Sequence, residues 1–354
     1  MTSTNLDNPL MLRCGTILPN RFAMAPLTNT QSNLDGTLSE DEFNWLTTRA
    51  GKFRLISTCA TYISEEGKAW KGQLGISNDN HLLGLTKLAS VIKSSGSLVI
   101  VQLHHAGAKA DCAPRKISSS ASENINEATK EDIERIKNDF VQAALRAEKA
   151  GFSGVEIHGA NGYIFTQFLS PVLNKRSDEY GGSIENRARF LRETLQAVRK
   201  AVQKSFMVNV RISPVDTFNR LGLILEDSKK VTHWLAEDGA DVIHLSLRNA
   251  SGPSPFEDST VPVVTAICEV VPKEVKIASA GGVWTRDDAT KTNQAGADII
   301  MLGKASIIHP NWVELSKKPD FKPYLPPWDI KSLQQVQVGK NFIDYLTHRH
   351  KLVK

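Results

Sequence analysis

Gly154-Val155-Glu156-Ile157-His158-Gly159-Ala160-Asn161-Gly162-Tyr163 is a short apolar run that ends in three polar side chains of different chemistry. The run has the length of a buried strand, and the glycines after it mark a turn. His158 and Asn161 can both donate hydrogen bonds to one oxygen. Tyr163, with an ordinary pKa of about 10, can deliver a proton without being acidic enough to lose it first. That set suits polarising a carbonyl and protonating a neighbouring carbon, although a polar loop with a core-facing tyrosine would read the same way in isolation.

Working outward, seven further runs share the short, often β-branched character: Arg21–Ala25, Leu55–Thr58, Ser97–Gln102, Met207–Arg211, Val242–Ser246, Lys276–Ser279 and Ile299–Leu302. Stretches of helical spacing separate them, as in Ile133, Ile136, Phe140, Ala144 and Ala147 after Thr129. Such alternation indicates βα units and a parallel sheet. Eight units within about 280 residues point to a TIM (β/α)8 barrel instead of a doubly wound sheet. We expect one α/β domain over residues 1–354, with a short lead at 1–19 and a tail at 318–354. In that tail the proline-rich Asp320–Asp329 crosses the surface and Leu333–Leu346 forms a final helix.

The 354 residues are 41% hydrophobic and 23% charged, which suits a globular core and excludes wholesale disorder. Net charge is +5, but Lys and Arg are interspersed with Asp and Glu, so no nucleic-acid surface is expected. Cys14, Cys59, Cys112 and Cys268 form no C-x-x-C pair, which argues against structural zinc, an iron-sulfur cluster and a redox dithiol. Free thiols fit a reducing cytoplasm. Met1 to Leu12 lacks an apolar signal-like core, and no run of about 18 apolar residues suggests a membrane span.

Chemistry in such a barrel belongs where strands end. There the chain places Ala25-Pro26-Leu27-Thr28, Ala60, Gln102 with His104 and His105, the HGANGY turn, Arg211, Ala280-Gly281-Gly282, and Gly303-Lys304. Glycine turns after the seventh and eighth strands commonly hold a phosphate, here with Lys304 as the cation; singly, they read equally as a tight turn and a helix-start lysine. Arg211 must either reach solvent or meet an anionic or polar partner, whether ligand or structural salt bridge. Gln102 offers a donor and an acceptor, suited to a heterocycle edge or to a satisfied core amide. No carboxylate joins His104, His105, His158 and His244 at ligand spacing, so no metal is expected. Without a G-x-G-x-x-G after a strand, a nicotinamide would visit as a substrate.

These residues resemble the Old Yellow Enzyme family of FMN-dependent NAD(P)H oxidoreductases. The matching segments are Asn20 to Thr28, VQLHHAGAKA from Val101, GVEIHGANGYIFTQFLSPVLNKRSDEYGGSIENRARFLRE from Gly154, and GADIIMLGKASIIHPNW from Gly296. The resemblance implies tightly bound FMN across the barrel mouth, its phosphate on Gly281, Gly282, Gly303 and Lys304. It implies that Ala25, Pro26, Leu27, Thr28 and Ala60 line the isoalloxazine, with Thr28 at flavin O4, and that Gln102 and Arg211 bond the pyrimidine edge. His158 and Asn161 would hold the carbonyl oxygen of an α,β-unsaturated substrate and Tyr163 would protonate its α-carbon, after hydride reaches the β-carbon. NAD(P)H would use the same pocket first, in ping-pong order. Relatives of this kind occur as monomers and as homo-oligomers. Lys304 departs from the usual arginine and cannot grip a phosphate in the same bidentate way. The segments Ser246–Thr260 and Tyr62–Leu74 carry no legible family feature. Demethylation, isomerisation or oxidation on the same barrel, or flavin binding without turnover, are the competing readings.

Overall fold

The computed structural model describes residues 5–216 and 221–354; residues 1–4, the start of the expected lead, lie outside the described residues. All eight expected strands form: β1 Phe22–Met24, β2 Leu55–Tyr62, β3 Leu98–His104, β4 Gly154–Gly159, β5 Met207–Ile212, β6 Val242–Ser246, β7 Lys276–Ala280 and β8 Ile299–Leu302. They pair in parallel in chain order, and β8 returns to β1 through Ile300 opposite Phe22, which closes the barrel. Among the described residues the α-helices are α1 Glu40–Thr47, α2 Leu82–Ser94, α3 Lys130–Lys149, α4 Ile164–Leu169, α5 Ile184–Ala201, α6 Leu225–Asp238, α7 Val263–Cys268, α8 Arg286–Gln294, α9 Lys304–Ile308, α10 Trp312–Leu315, α11 Ile330–Gln335 and α12 Lys340–His348. Their ends follow local chemistry: Thr129 caps α3 in a capping box with Asp132, Ser183 caps α5, and Gly239 ends α6 at φ +119°.

Residues two apart on a strand share a face, so the barrel interior is built in layers. Leu55, Ile100, Met207, Val242, Ala278 and Ile299 make an apolar layer, onto which Leu10, Leu12 and Leu18 of the N-terminal hairpin pack. Two residues further along come Gln102, Glu156, Asn209 and His244, all buried. One more step brings His104, His158, Arg211 and Ser246 to the mouth.

Strand β2 runs beyond the expected Thr58 because its register with β3 slips between Ser57 and Ala60. At the slip the Thr58 hydroxyl accepts the Gln102 backbone N–H at 3.2 Å, replacing a ladder carbonyl, and Ala60 arrives opposite Gln102. The expected single helix Leu333–Leu346 is corrected to two, α11 and α12. Gln337 adopts φ +61° and Gly339 donates its N–H to Gln31 Oε1 at 2.8 Å, so α12 turns away and crosses the mouth.

Arg49, at the end of α1, is fully buried and stacked 3.3 Å from the Trp45 ring centroid. It donates to the carbonyls of Trp45 (2.6 Å), Ser306 (2.9 Å), Ile307 (2.7 Å) and Val336 (3.3 Å), tying α1 to α9 and α11. Arg49→Met is expected to lower stability by about 3 kcal/mol or more, because several buried carbonyls lose their donors at once. Denaturant unfolding with a loss below about 1 kcal/mol would contradict this.

Candidate active site

The strand ends open into a cavity of about 200 Å³ lined by Pro26, Leu27, Thr28, Ala60, Gln102, His158, Asn161, Tyr163, Arg211 and Lys304. An adjoining cavity of about 380 Å³ shares Pro26, Leu27, Arg211 and Lys304 and adds Ala25, Gly281, Gly282 and Gly303. Every residue that the family resemblance places at the site lines one of these two spaces, whereas His104 and His105 are buried outside both.

His158 leaves the end of β4, opposite Arg211 in register. Burial, reinforced by the nearby His104, Arg211, His244 and Lys109, holds its imidazolium well below the usual range, so the ring is neutral. Its Nδ1 accepts the Ala160 N–H at 3.4 Å, leaving the proton on Nε2 as a donor. Asn161 adopts φ +61°, a left-handed conformation that asparagine tolerates better than most residues. Ser246 Oγ and Ser213 Oγ donate to its Oδ1 at 3.2 and 3.5 Å, which leaves Nδ2 free to donate. Lys109 Nζ pins the turn by donating to the Asn161 carbonyl at 2.9 Å.

The Tyr163 ring packs edge-on to His104 with centroids 4.3 Å apart. Burial first, and the Tyr345 phenol second, push its pKa up to about 12, so it is protonated across neutral pH. His104 is fully buried and neutral, its pKa down to about 3 chiefly through burial. The Gln73 amide donates to His104 Nδ1 at 3.0 Å.

Gln102 Nε2 donates to Glu156 Oε1 at 2.7 Å, and His244 Nδ1 donates to Glu156 Oε2 at 2.8 Å. Arg211 Nη2 donates to Ser246 Oγ at 3.0 Å, while its buried Nε has no partner. Glu156 acts on Arg211 as a neighbouring charge.

At the other end, Gly281 (φ +152°) and Gly282 (φ +68°) fold the backbone under the Leu247 and Arg248 carbonyls; a Cβ on Gly281 would sit 2.5 Å from Leu247 O. Among the described residues, the backbone N–H groups of Gly282, Val283, Gly303 and Lys304 have no hydrogen-bond partner. Such a concave set of amides beside the exposed Lys304 can hold a phosphate. Together with the orphaned Arg211 Nε, these features fit FMN spanning both spaces.

Sequence reasoning missed Arg248, which lines the glycine end, and the residues that α12 and the tail bring over the mouth: Phe342, Tyr345, Leu346, His350 and Leu352. Tyr345 and Thr28 line the same cavity. No linear pattern marks which face of a C-terminal helix meets a barrel mouth assembled from residues scattered between Ala25 and Lys304. Among the described residues, no group of three or more His, Cys, Asp or Glu could hold a metal ion, and no helix is long and apolar enough to cross a membrane.

The family model described as NADH:flavin oxidoreductase / NADH oxidase matches residues 5–319. The chain is 32% identical over 321 residues to a probable NADH-dependent flavin oxidoreductase, YqiG, of Bacillus subtilis (strain 168), covering 87% of this chain and 86% of that protein. It is 34% identical over 332 residues to an NADH:fumarate oxidoreductase of Klebsiella pneumoniae (strain 342), covering 88% of this chain but only 36% of that longer protein. The Old Yellow Enzyme homologue of Zymomonas mobilis shares the fold with a TM-score of 0.82 at 24% identity, over 95% of this chain and 99% of that one. A closed barrel matched by this model from residue 5 to 319 makes the chain a member of the Old Yellow Enzyme family, an FMN-dependent oxidoreductase that uses NAD(P)H.

Proposed function

We propose that the protein reduces the C=C bond of α,β-unsaturated carbonyl compounds such as enones and enals. The observation that carries this reading is the convergence of two free donors, His158 Nε2–H and Asn161 Nδ2–H, with the protonated phenol of Tyr163 on one cavity. FMN, when bound, supplies the hydride that it has taken from NAD(P)H. In this reading Gly281, Gly282, Gly303 and Lys304 hold its phosphate. Ala25, Pro26, Leu27, Thr28 and Ala60 line its ring system, while Gln102 and Arg211 bond the pyrimidine edge.

Charge that develops on the substrate oxygen is met by His158 and Asn161, already oriented by their own hydrogen bonds. Tyr163 then gives its proton to the α-carbon. NAD(P)H and the alkene take turns in the space under α12. The NADH:fumarate relative carries an alkene in its name, but this chain spans about a third of it, so that name adds little about substrate here. We read residues 1–354 as one FMN-binding domain working in the cytoplasm, with a homo-oligomer as an open assembly state; four free cysteines fit that compartment.

The test is to reduce the purified flavoprotein anaerobically with NAD(P)H and to add 2-cyclohexenone. Rapid return of the flavin absorption band supports the proposal, and a band that stays bleached removes enones as the substrate class. The protonation states add a prediction. His158 is neutral well below pH 6.5 and Tyr163 is protonated up to about 12. Reoxidation by the enone should therefore be flat from about pH 6 to 10. A rate that falls above about pH 6.5 would mean that imidazolium, not neutral imidazole, binds the substrate oxygen.

A further inference from the structure

We infer that Glu156, buried beneath the site, positions the cofactor's pyrimidine edge through Gln102 and offsets the charge that Arg211 presents to it. The inference rests on the placement of that edge proposed above.

Glu156 lies in the polar middle layer of the barrel, opposite Gln102 in register and 1% exposed. Both carboxylate oxygens are engaged, Oε1 by Gln102 Nε2 at 2.7 Å and Oε2 by His244 Nδ1 at 2.8 Å. A buried carboxylate needs such donors and a nearby positive charge; His244 is its strongest favourable neighbour, and Arg211 adds a permanent charge. Burial keeps His244 neutral, so the facing ions are Glu156 in the middle layer and Arg211 one step nearer the mouth.

Two consequences follow at the mouth. Tethering Gln102 by its nitrogen turns its carbonyl oxygen toward the cavity, where it can accept from the ring N–H of a pyrimidine. Arg211, with one Nη2–H on Ser246 and Nε unpartnered, is left to donate to the neighbouring ring nitrogen and oxygen. There the negative charge of Glu156 weakens its pull on a reduced, anionic ring. Glu156 is thus a positioning residue that meets neither substrate nor cofactor.

Two substitutions separate these effects. Glu156→Gln can keep both hydrogen bonds, its amide oxygen accepting from Gln102 and its N–H donating to His244 in the other tautomer, while the charge is lost. The ratio of the FMN dissociation constants, oxidised over reduced, should then rise about tenfold, equal to an upward shift of about 30 mV in the two-electron midpoint potential. Glu156→Asp keeps the charge but is one methylene too short to reach both Gln102 and His244. Its potential should stay near the parent value while FMN binds about tenfold more weakly, as expected when one charge-assisted hydrogen bond is released.

Potentiometry and FMN titration of the deflavinated protein read both effects, with Arg211→Gln as a comparator expected to lower the potential. If Arg211→Gln lowers it and Glu156→Gln leaves it unchanged, the role given to Glu156 is wrong. If neither moves it, the seating of the pyrimidine edge falls as well. Should Glu156→Gln fail to fold, unchanged FMN affinity in Glu156→Asp overturns the inference.

Discussion

Tyr163→Phe is expected to slow reoxidation of the reduced enzyme by an enone by about 10²- to 10⁴-fold, the usual contribution of a positioned general acid. The phenol is suited to this role because burial pushes its pKa up to about 12, so it holds its proton until the neighbouring carbon becomes basic. Its ring is fixed by His104 at 4.3 Å and by Lys109 Nζ, 5.1 Å from the ring centroid. Phenylalanine preserves those contacts, so the loss should be confined to the proton. Reduction of bound FMN by NAD(P)H requires no proton from this side chain and should proceed as before. Stopped-flow absorbance resolves the two half-reactions. Unchanged reoxidation would show that the acid is another group or solvent, whereas equal slowing of both halves would point to a disturbed pocket.

The second large effect is expected at the glycine end. Gly281→Ala should weaken FMN binding roughly hundredfold, corresponding to about 3 kcal/mol of clash and backbone strain. Its Cβ would lie 2.5 Å from the Leu247 carbonyl oxygen and 3.0 Å from the Ala250 nitrogen, and at φ +152° no rotation of a side chain can relieve this. The turn must open, and the unpaired N–H groups of Gly282 and Val283 move with it. Gly151→Ala provides the control: its φ is +83° but no atom lies within 4 Å of the added Cβ, so stability falls slightly and FMN affinity should not change. Titration of the deflavinated proteins with FMN decides between them. Full affinity in Gly281→Ala would mean that the phosphate sits elsewhere, and Lys304 and Gly303 would lose their proposed role with it.

Much of the barrel was legible from the chain alone because its signals are local. Strand positions follow from apolar runs a few residues long, and helix ends from single residues such as Thr129, Ser183 and Gly239. The candidate site was legible for a related reason. His158, Asn161 and Tyr163 lie within six residues, and the remaining expected residues each lie within a few residues of a strand's C-terminal end, where a parallel barrel gathers its chemistry.

What the chain alone left undecided depends on contacts between distant residues. Closure required β8 to meet β1, with Ile300 beside Phe22. The slip at Ser57–Ala60 arose from a hydroxyl answering a backbone N–H 44 residues away. The orientation of the Gln102 amide was settled by Glu156, 54 residues on, and Glu156 itself, which reads as strand filler, is held by His244 a further 88 residues along. The break between α11 and α12 is secured by Gln31, 308 residues from Gly339, and that contact carries α12 over the mouth. Periodicity and turn chemistry are properties of neighbours and can be read in one dimension; which polar atom finds which partner across a barrel is decided only when the core excludes water and leaves each buried donor and acceptor to the few groups within reach.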